Sequence, residues 1–197
     1  MADIIIRGLS KSFGEKHVFR ALSLDFASGK RYLLMGPSGS GKTTLLRMIM
    51  GLEKSDGGSI SFSETPAFGV VFQEDRLCPG FSALENLRMG ASLGREEALD
   101  ALARLMPDGD PHIPVEKLSG GQRRRVAILR AALAPGRNIL ILDEPFSGLD
   151  DESRRRAGAW LKEHAAGKTV LAVSHLEEDA PLLEAEPVML FDEKGEG

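Results

Sequence analysis

Residues 36–43 read Gly-Pro-Ser-Gly-Ser-Gly-Lys-Thr, a glycine-rich octapeptide ending in a lysine and a hydroxyl. It fills every specified position of the phosphate-loop pattern G-x-x-x-x-G-K-[ST]. Its chemistry is polyphosphate binding. Gly36, Ser38, Gly39, Ser40 and Gly41 form a loop whose glycines let successive N–H groups face one anion. A helix beginning near Lys42 adds its positive end, reaching Thr44 as well. Lys42 brings a full charge to the outer phosphates, and the Thr43 hydroxyl can ligate Mg²⁺.

Other polar residues stand at the ends of apolar runs. Asp143 and Glu144 follow the run ILIL at 139–142. Asp143 can hold Mg²⁺ directly or through water, and Glu144 can polarise a water aimed at a terminal phosphate. Two adjacent carboxylates repel, and a bound cation offsets that repulsion. Gln73 ends the run at 67–73, either at a ligand crevice or as a solvated strand cap. His175 ends the run at 169–174, as a phosphate contact or as a packed residue. Ser119-Gly120-Gly121-Gln122 leads into a helix over 123–134, and such a start can hold an anion on bare N–H groups. Phe13, in a turn upstream of the phosphate loop, can stack on adenine or pack in a hairpin.

The elements that must position these residues alternate apolar strands with amphipathic helices. Strands are expected at 3–9, 21–26, 30–35, 67–73, 139–142, 169–174 and 187–192, with a turn at 11–14. Gly51 closes the first helix. Ser82 and Glu85 form a capping box for a helix with Leu84, Leu87 and Met89 on its apolar face, and residues 95–106 form a second helix. The expected fold is α/β: a P-loop NTPase core with a largely parallel sheet, an antiparallel β flank and a small helical insertion at about 74–118. One domain over 1–197 accounts for the length. Arginines 123–125 read as a solvated face, and 154–156 as a helix surface with Asp151–Arg155 and Glu152–Arg156 pairs.

Composition sets further bounds. The formal net charge is −4 across 197 residues, so no global basic field would hold nucleic acid. No apolar run approaches a membrane span, and residues 1–14 lack the pattern of a secretion signal. Cys78 is the sole cysteine, which excludes an internal disulfide and suits the cytosol.

The motif order resembles the nucleotide-binding subunit of an ATP-binding cassette (ABC) transporter. The resemblance rests on GPSGSGKT at 36–43, Gln73, LSGGQ at 118–122, ILILDE at 139–144, SGLD at 147–150 and His175, and it runs from Phe13 to His175. It implies an ATPase that uses ATP and Mg²⁺ and powers a separate transmembrane permease through ATP-dependent dimerisation, as a homodimer or with a paired ABC subunit. Phe13 corresponds to the adenine-stacking aromatic. Thr43, Gln73 and Asp143 would surround Mg²⁺, with Glu144 as general base and His175 at the γ-phosphate. Ser119 to Gln122 would serve ATP on a second protomer, and Asp150 would lie at the dimer seam. The segment VFQEDRL followed by ALENL is similar to importer subunits of the nitrate, sulfonate and taurine type, which also use a solute-binding protein. Leu176 stands where many importer subunits carry Asp, and the short segment before Gln73 leaves the flank short of a strand or hairpin. The implied location is cytoplasmic, on the inner face of the membrane through the permease. The loop at 74–81, with Leu77 and Phe81, is expected to dock on that permease. A soluble ABC ATPase of translation or DNA repair is the alternative, but such proteins usually carry two cassettes or a coiled-coil insertion.

Overall fold

The computed structural model describes residues 2–190. Strands β1 (Ala2–Phe13) and β2 (Lys16–Ala27) form a long antiparallel hairpin in which Phe13 pairs with Lys16. The turn is therefore Gly14-Glu15, with Gly14 at φ 57°, and not residues 11–14. Both strands outrun the short runs expected at 3–9 and 21–26. Lys11 does not break β1 because its ammonium turns inward, 2.6 Å from a Glu53 carboxylate oxygen and 2.8 Å from Lys54 O. Register shifts on either side of Lys11 absorb the irregular pattern. A third strand, β4 (Gly57–Phe62), pairs antiparallel with β1, so three strands make up this flank.

The second sheet is parallel throughout. It contains β3 (Arg31–Met35), β5 (Phe68–Val71), β6 (Ile139–Asp143), β7 (Thr169–Val173) and β8 (Glu186–Met189), in the order β5-β6-β7-β3-β8. The last expected strand reached residue 192; residues 191 and 192 lie outside the described part of the chain. Parallel strands are buried on both faces, and alternate residues here enter two different cores. Tyr32, Leu34, Ile139, Ile141, Leu171 and Val173 pack with the antiparallel flank and with α1 (Lys42–Ile49). Leu33, Leu140, Leu142, Val170 and Ala172 face the remaining helices.

Those helices are α2 (Ala83–Ala91), α3 (Arg95–Leu105), α4 (Gly120–Leu133), α5 (Asp151–His164) and α6 (Asp179–Leu183). The Ser82–Glu85 capping box forms as expected. Met89 does not share the apolar face: it is 54% exposed, while Leu84, Leu87 and Ala91 point inward at helical spacing. Helix α4 starts at Gly120 rather than 123, because a second capping box closes on Ser119. Its hydroxyl accepts from Gln122 N–H, and the Gln122 side chain accepts from Ser119 N–H.

The largest departure concerns the arginines. Arg124 and Arg125 are only 6% and 5% exposed. Arg125 forms a fork on Asp108 at 2.7 and 2.8 Å and reaches Leu105 O and Gly121 O. Arg123 donates to Leu118 O at 2.5 Å. In the second cluster Arg154 bonds to buried Asp179 at 2.6 Å and sits 3.9 Å from Asp151, while Glu152–Arg156 pairs as expected. A guanidinium enters a protein interior when carbonyls and a carboxylate await it, and a charge run shows neither.

The Arg125 fork and the Asp108 backbone hold the Asp108 carboxyl below its ordinary range, with the fork the larger effect. Asp108→Ala should destabilise the protein by roughly 1 kcal/mol at pH 7, the low end for a charged pair, because Asp108 is half in solvent. A depressed carboxylate stabilises above its unfolded pKa and loses that effect as pH falls through the folded value. The wild-type advantage in urea denaturation should therefore vanish in strong acid.

Candidate functional site

Parallel strands deliver their carboxyl ends to one edge of the sheet. There the chain leaves β3 into residues 36–41, β5 into Gln73, β6 into Glu144 and β7 into His175. One cleft is lined by Phe13, Lys16, Val18, Ser38, Gly39, Gly41, Lys42, Thr43, Thr44, Gln73, Glu144 and His175. Gly41, at φ 92°, caps α1 in the left-handed region, and a Cβ there would come within 2.4 Å of Val18 and 2.6 Å of Phe19. Only glycine fits both the angle and the space. Gly36 and Ser40 do not line the cleft. Among the described residues Ser40 Oγ is buried without a hydrogen-bond partner, and Ser40 N–H donates to Pro37 O at 3.2 Å.

Lys42 bends back over its own loop, donating to Gly36 O at 2.8 Å and Pro37 O at 2.9 Å. Burial lowers its pKa, against the pull of Glu144 and Asp143. Thr43 Oγ1 donates to Asp143 Oδ1 at 3.2 Å. Asp143 is buried, and burial raises its pKa, opposed by the Thr43 bond and by Arg124, Lys42 and Arg47. Glu144 lies 2.9 Å from His175 Nε2. Burial raises the Glu144 pKa; His175 opposes this and Asp143 adds to it. Glu144 also sits at φ 53°, a left-handed conformation that is strained for a residue with a side chain. The tension is held by Glu144 N–H donating to Val173 O and by Glu144 O accepting from Ser147 N–H.

Phe13 is half exposed at the rim, with Lys11 Nζ 4.7 Å from its ring centre. Gln73 borders the cleft just past β5. Lys16 and Val18 were missed by sequence reasoning; Lys16 Nζ lies 3.4 Å from Gly39 O. The signal was the pairing of Phe13 with Lys16, which appears only once the hairpin is read as strand rather than turn.

Ser119, Gly120 and Gly121 are not brought to this cleft. They line a separate hollow with Ser147, Gly148, Leu149 and Asp150. Gln122 is turned to Asp108 and to Ser119. Asp150 caps α5 through Ser153 N–H at 2.8 Å. Among the described residues no hydrogen bond reaches the N–H groups of Gly120 or Gly121. In the 74–81 loop Leu77 is partly buried against the core while Phe81 is exposed.

The model of the family described as "ABC transporter" matches residues 19–147, more than half of the chain. The chain belongs to the ABC transporter family. It is 39% identical, over 98% of its length, to a sulfate/thiosulfate import ATP-binding protein of Agrobacterium fabrum, of which it covers 62%. It is 42% identical, over 87% of its length, to an aliphatic sulfonates import ATP-binding protein of Paraburkholderia xenovorans, covering 70% of that protein. The chain thus spans a little over half the length of several relatives, 54% for the one in Rhizobium meliloti. Among solved structures, the ATP-binding cassette MJ0796, a dimer in a post-hydrolysis state bound to ADP and Pi, superposes with TM-score 0.82 at 28% identity over 95% of this chain and 94% of that one. A bacterial Atm1-family ABC exporter with ATP bound shares the fold, at TM-score 0.81 and 22% identity over 96% of this chain and 37% of the exporter. Among the described residues no helix of this ABC chain is long and apolar enough to cross a membrane.

The cleft's carboxylates oppose stability when no cation is near. A raised folded pKa means that stability is fullest below the unfolded value and is lost as pH rises through the folded one. Asp143→Asn keeps an acceptor for Thr43 and removes the buried charge. The nucleotide-free, metal-free variant should melt above wild type at neutral pH, and the gain should disappear below the ordinary Asp range near 3.8. Calorimetry in a chelator checks both.

Proposed function

We propose that this chain binds ATP with Mg²⁺ and hydrolyses it as a subunit of an ABC membrane transporter, driving translocation through a separate permease. The observation that carries the reading is the assembly of Lys42, Thr43, Asp143, Glu144 and His175 at one sheet edge.

The cleft fits the substrate. The N–H groups of the loop and the start of α1 favour polyphosphate. Among the described residues the Lys42 ammonium donates to two carbonyls, which a phosphate can replace. Phe13 offers an aromatic face at the rim for adenine. The residues also fit a magnesium ion, because Thr43 and Asp143 present hard oxygens 3.2 Å apart. Among the described residues no three His, Cys, Asp or Glu side chains gather as a metal site, so phosphate oxygens would complete the shell. Bound there, Mg²⁺ neutralises phosphate charge.

Glu144 accepts the proton of a water whose oxygen attacks the γ-phosphorus; the bond to the bridging oxygen breaks and leaves ADP and phosphate. Burial raises the Glu144 pKa, which strengthens the carboxylate as a base. His175, with Nε2 2.9 Å from a Glu144 carboxylate oxygen, stands beside that carboxylate and faces the same cleft. Gln73 borders the same cleft.

Ser119, Gly120 and Gly121 line a hollow apart from the chain's own cleft. In a two-fold dimer they would close over the cleft of a second protomer, giving two composite sites. Asp150 would lie at that seam. Phe81, exposed in the loop at 74–81, would offer an apolar contact for the permease. The names of the sulfate, thiosulfate and sulfonate relatives make sulfur oxyanions the first cargoes to assay, together with a solute-binding protein. The cassette would then sit on the cytoplasmic face of the membrane.

Glu144→Gln keeps size and hydrogen bonding but cannot take the proton. Turnover should fall by about 10²–10⁴, while the ATP-bound dimer accumulates on size-exclusion chromatography; near wild-type hydrolysis would make Glu144 a bystander.

Lys42→Ala and Ser119→Arg should each abolish ATP-dependent dimers. Mixed together, they should recover some association, because one arrangement keeps a complete site. Cross-linking of differently tagged chains with and without ATP measures this, and a Ser119→Arg homodimer that closes normally counts against shared sites.

A further inference from the structure

The segment just past β5 turns sharply, with Arg76 at φ 46°. Four of its carbonyls are held by two arginines of α4. Arg124 Nη1 donates to Phe72 O at 2.6 Å, and its Nη2 to Gln73 O at 2.5 Å. Arg130 Nη1 donates to Arg76 O at 2.8 Å, and its Nη2 to Asp75 O at 3.1 Å. The Asp75 carboxylate lies 3.3 Å from Arg124 Nε and 3.7 Å from Arg123 Nε, as ion pairs without hydrogen-bond alignment at Arg124. The stem of Arg130 crosses α2 at Gly90, where a Cβ would come within 2.4 Å of its Cγ. Any larger residue at position 90 would push the arginine aside.

We propose that Arg124 and Arg130 are positioning residues, a two-arginine clamp that makes the Gln73 segment and helix α4 move as one body. The proposal rests on the ATPase reading above. Gln73 borders the chain's own cleft, whereas Ser119 to Gly121, at the start of α4, line the other hollow. Backbone carbonyls held by planar forks have both distance and direction fixed, unlike a loop hinged on its own φ and ψ. A shift of Gln73 toward nucleotide therefore carries Ser119 with it. One cleft is read out at the surface that completes the opposite one, through hydrogen bonds to main chain that Gln73's own side chain does not make.

The chain carries its own probe. Cys78 is exposed, is the sole cysteine, and lies two residues beyond the clamped carbonyls. Its N–H and carbonyl are both bonded to the Asn86 side chain, so a label there reports the segment against α2. A nitroxide on Cys78 is read in full-length wild type, Arg124→Lys, Arg130→Lys and the double lysine variant. Lysine keeps charge and stem but makes one bond in place of a fork.

Without nucleotide, the label should become measurably more mobile in each variant and most in the double. With Mg-ATP, kcat should fall about ten- to hundredfold in the double variant, as a misplaced catalytic group does. KM should stay within about twofold, because Phe13 and Lys42 are untouched. Melting temperatures identify any variant that merely unfolds, and the single Arg130→Lys, which loosens the more exposed pair of bonds, tests the idea at the smallest perturbation. An unchanged label spectrum in the folded variants, or a KM that rises in step with the loss of kcat, overturns the clamp. A wild-type chain that hydrolyses no ATP overturns the ATPase reading instead, while the nucleotide-free label measurement still decides whether the two arginines hold the segment.

Discussion

The parallel pairing of β5, β6, β7, β3 and β8 is the constraint on which everything else depends. Parallel strands end together, so four separate polar strand-ends meet at one edge although they lie far apart in the chain. The pleat then sorts their side chains. Ile139 and Ile141 face the core shared with α1, and Asp143, two residues further, faces the same way and meets Thr43 at the start of that helix. A slip of one residue in β6 would send Asp143 to the opposite face. Glu144, past the strand, leaves the pleat by adopting a positive φ, and that turn brings it to His175.

This edge is held in tension. Two carboxylates and an ammonium are partly desolvated at this edge, with Glu144 in a strained backbone and, among the described residues, no partner for Ser40 Oγ. None of this favours the ligand-free fold. On the function proposed above, a polyphosphate and a cation would give the opposed charges their partners. The remaining structure bears the strain through two dense apolar cores on either side of the parallel sheet.

The helices on the second face are tied to the sheet edge by guanidinium groups as well as by packing. Arg125 joins the start of α4 to the Asp108 turn after α3, and Arg124 joins the same helix to the backbone around Gln73. Arg154 links α5 to Asp179, whose other oxygen accepts from Ser174 beside His175. Two of these bridges, through Arg124 and through Arg154, run to segments that border the cleft, and the third, through Arg125, runs to the separate hollow.

Local sequence determined much of this. The octapeptide at 36–43 carries its own glycines, charge and helix start, so its conformation follows from residues in contact along the chain. The same holds for the Ser82–Glu85 cap and for the apolar runs of β6 and β7. Local sequence failed where partners are distant. The strand character of residues 11–13 needed Glu53 and the carbonyl of Lys54; the burial of Arg124 and Arg125 needed the carbonyls of 72–73 and the carboxylate of Asp108. Lys16 entered the cleft only through hairpin register. A motif encodes which groups are present, but the three-dimensional fold decided which face they share. It gathered Lys42, Glu144 and His175 into one cleft and left Ser119 on another, because strand order and pleat parity are properties of the whole sheet.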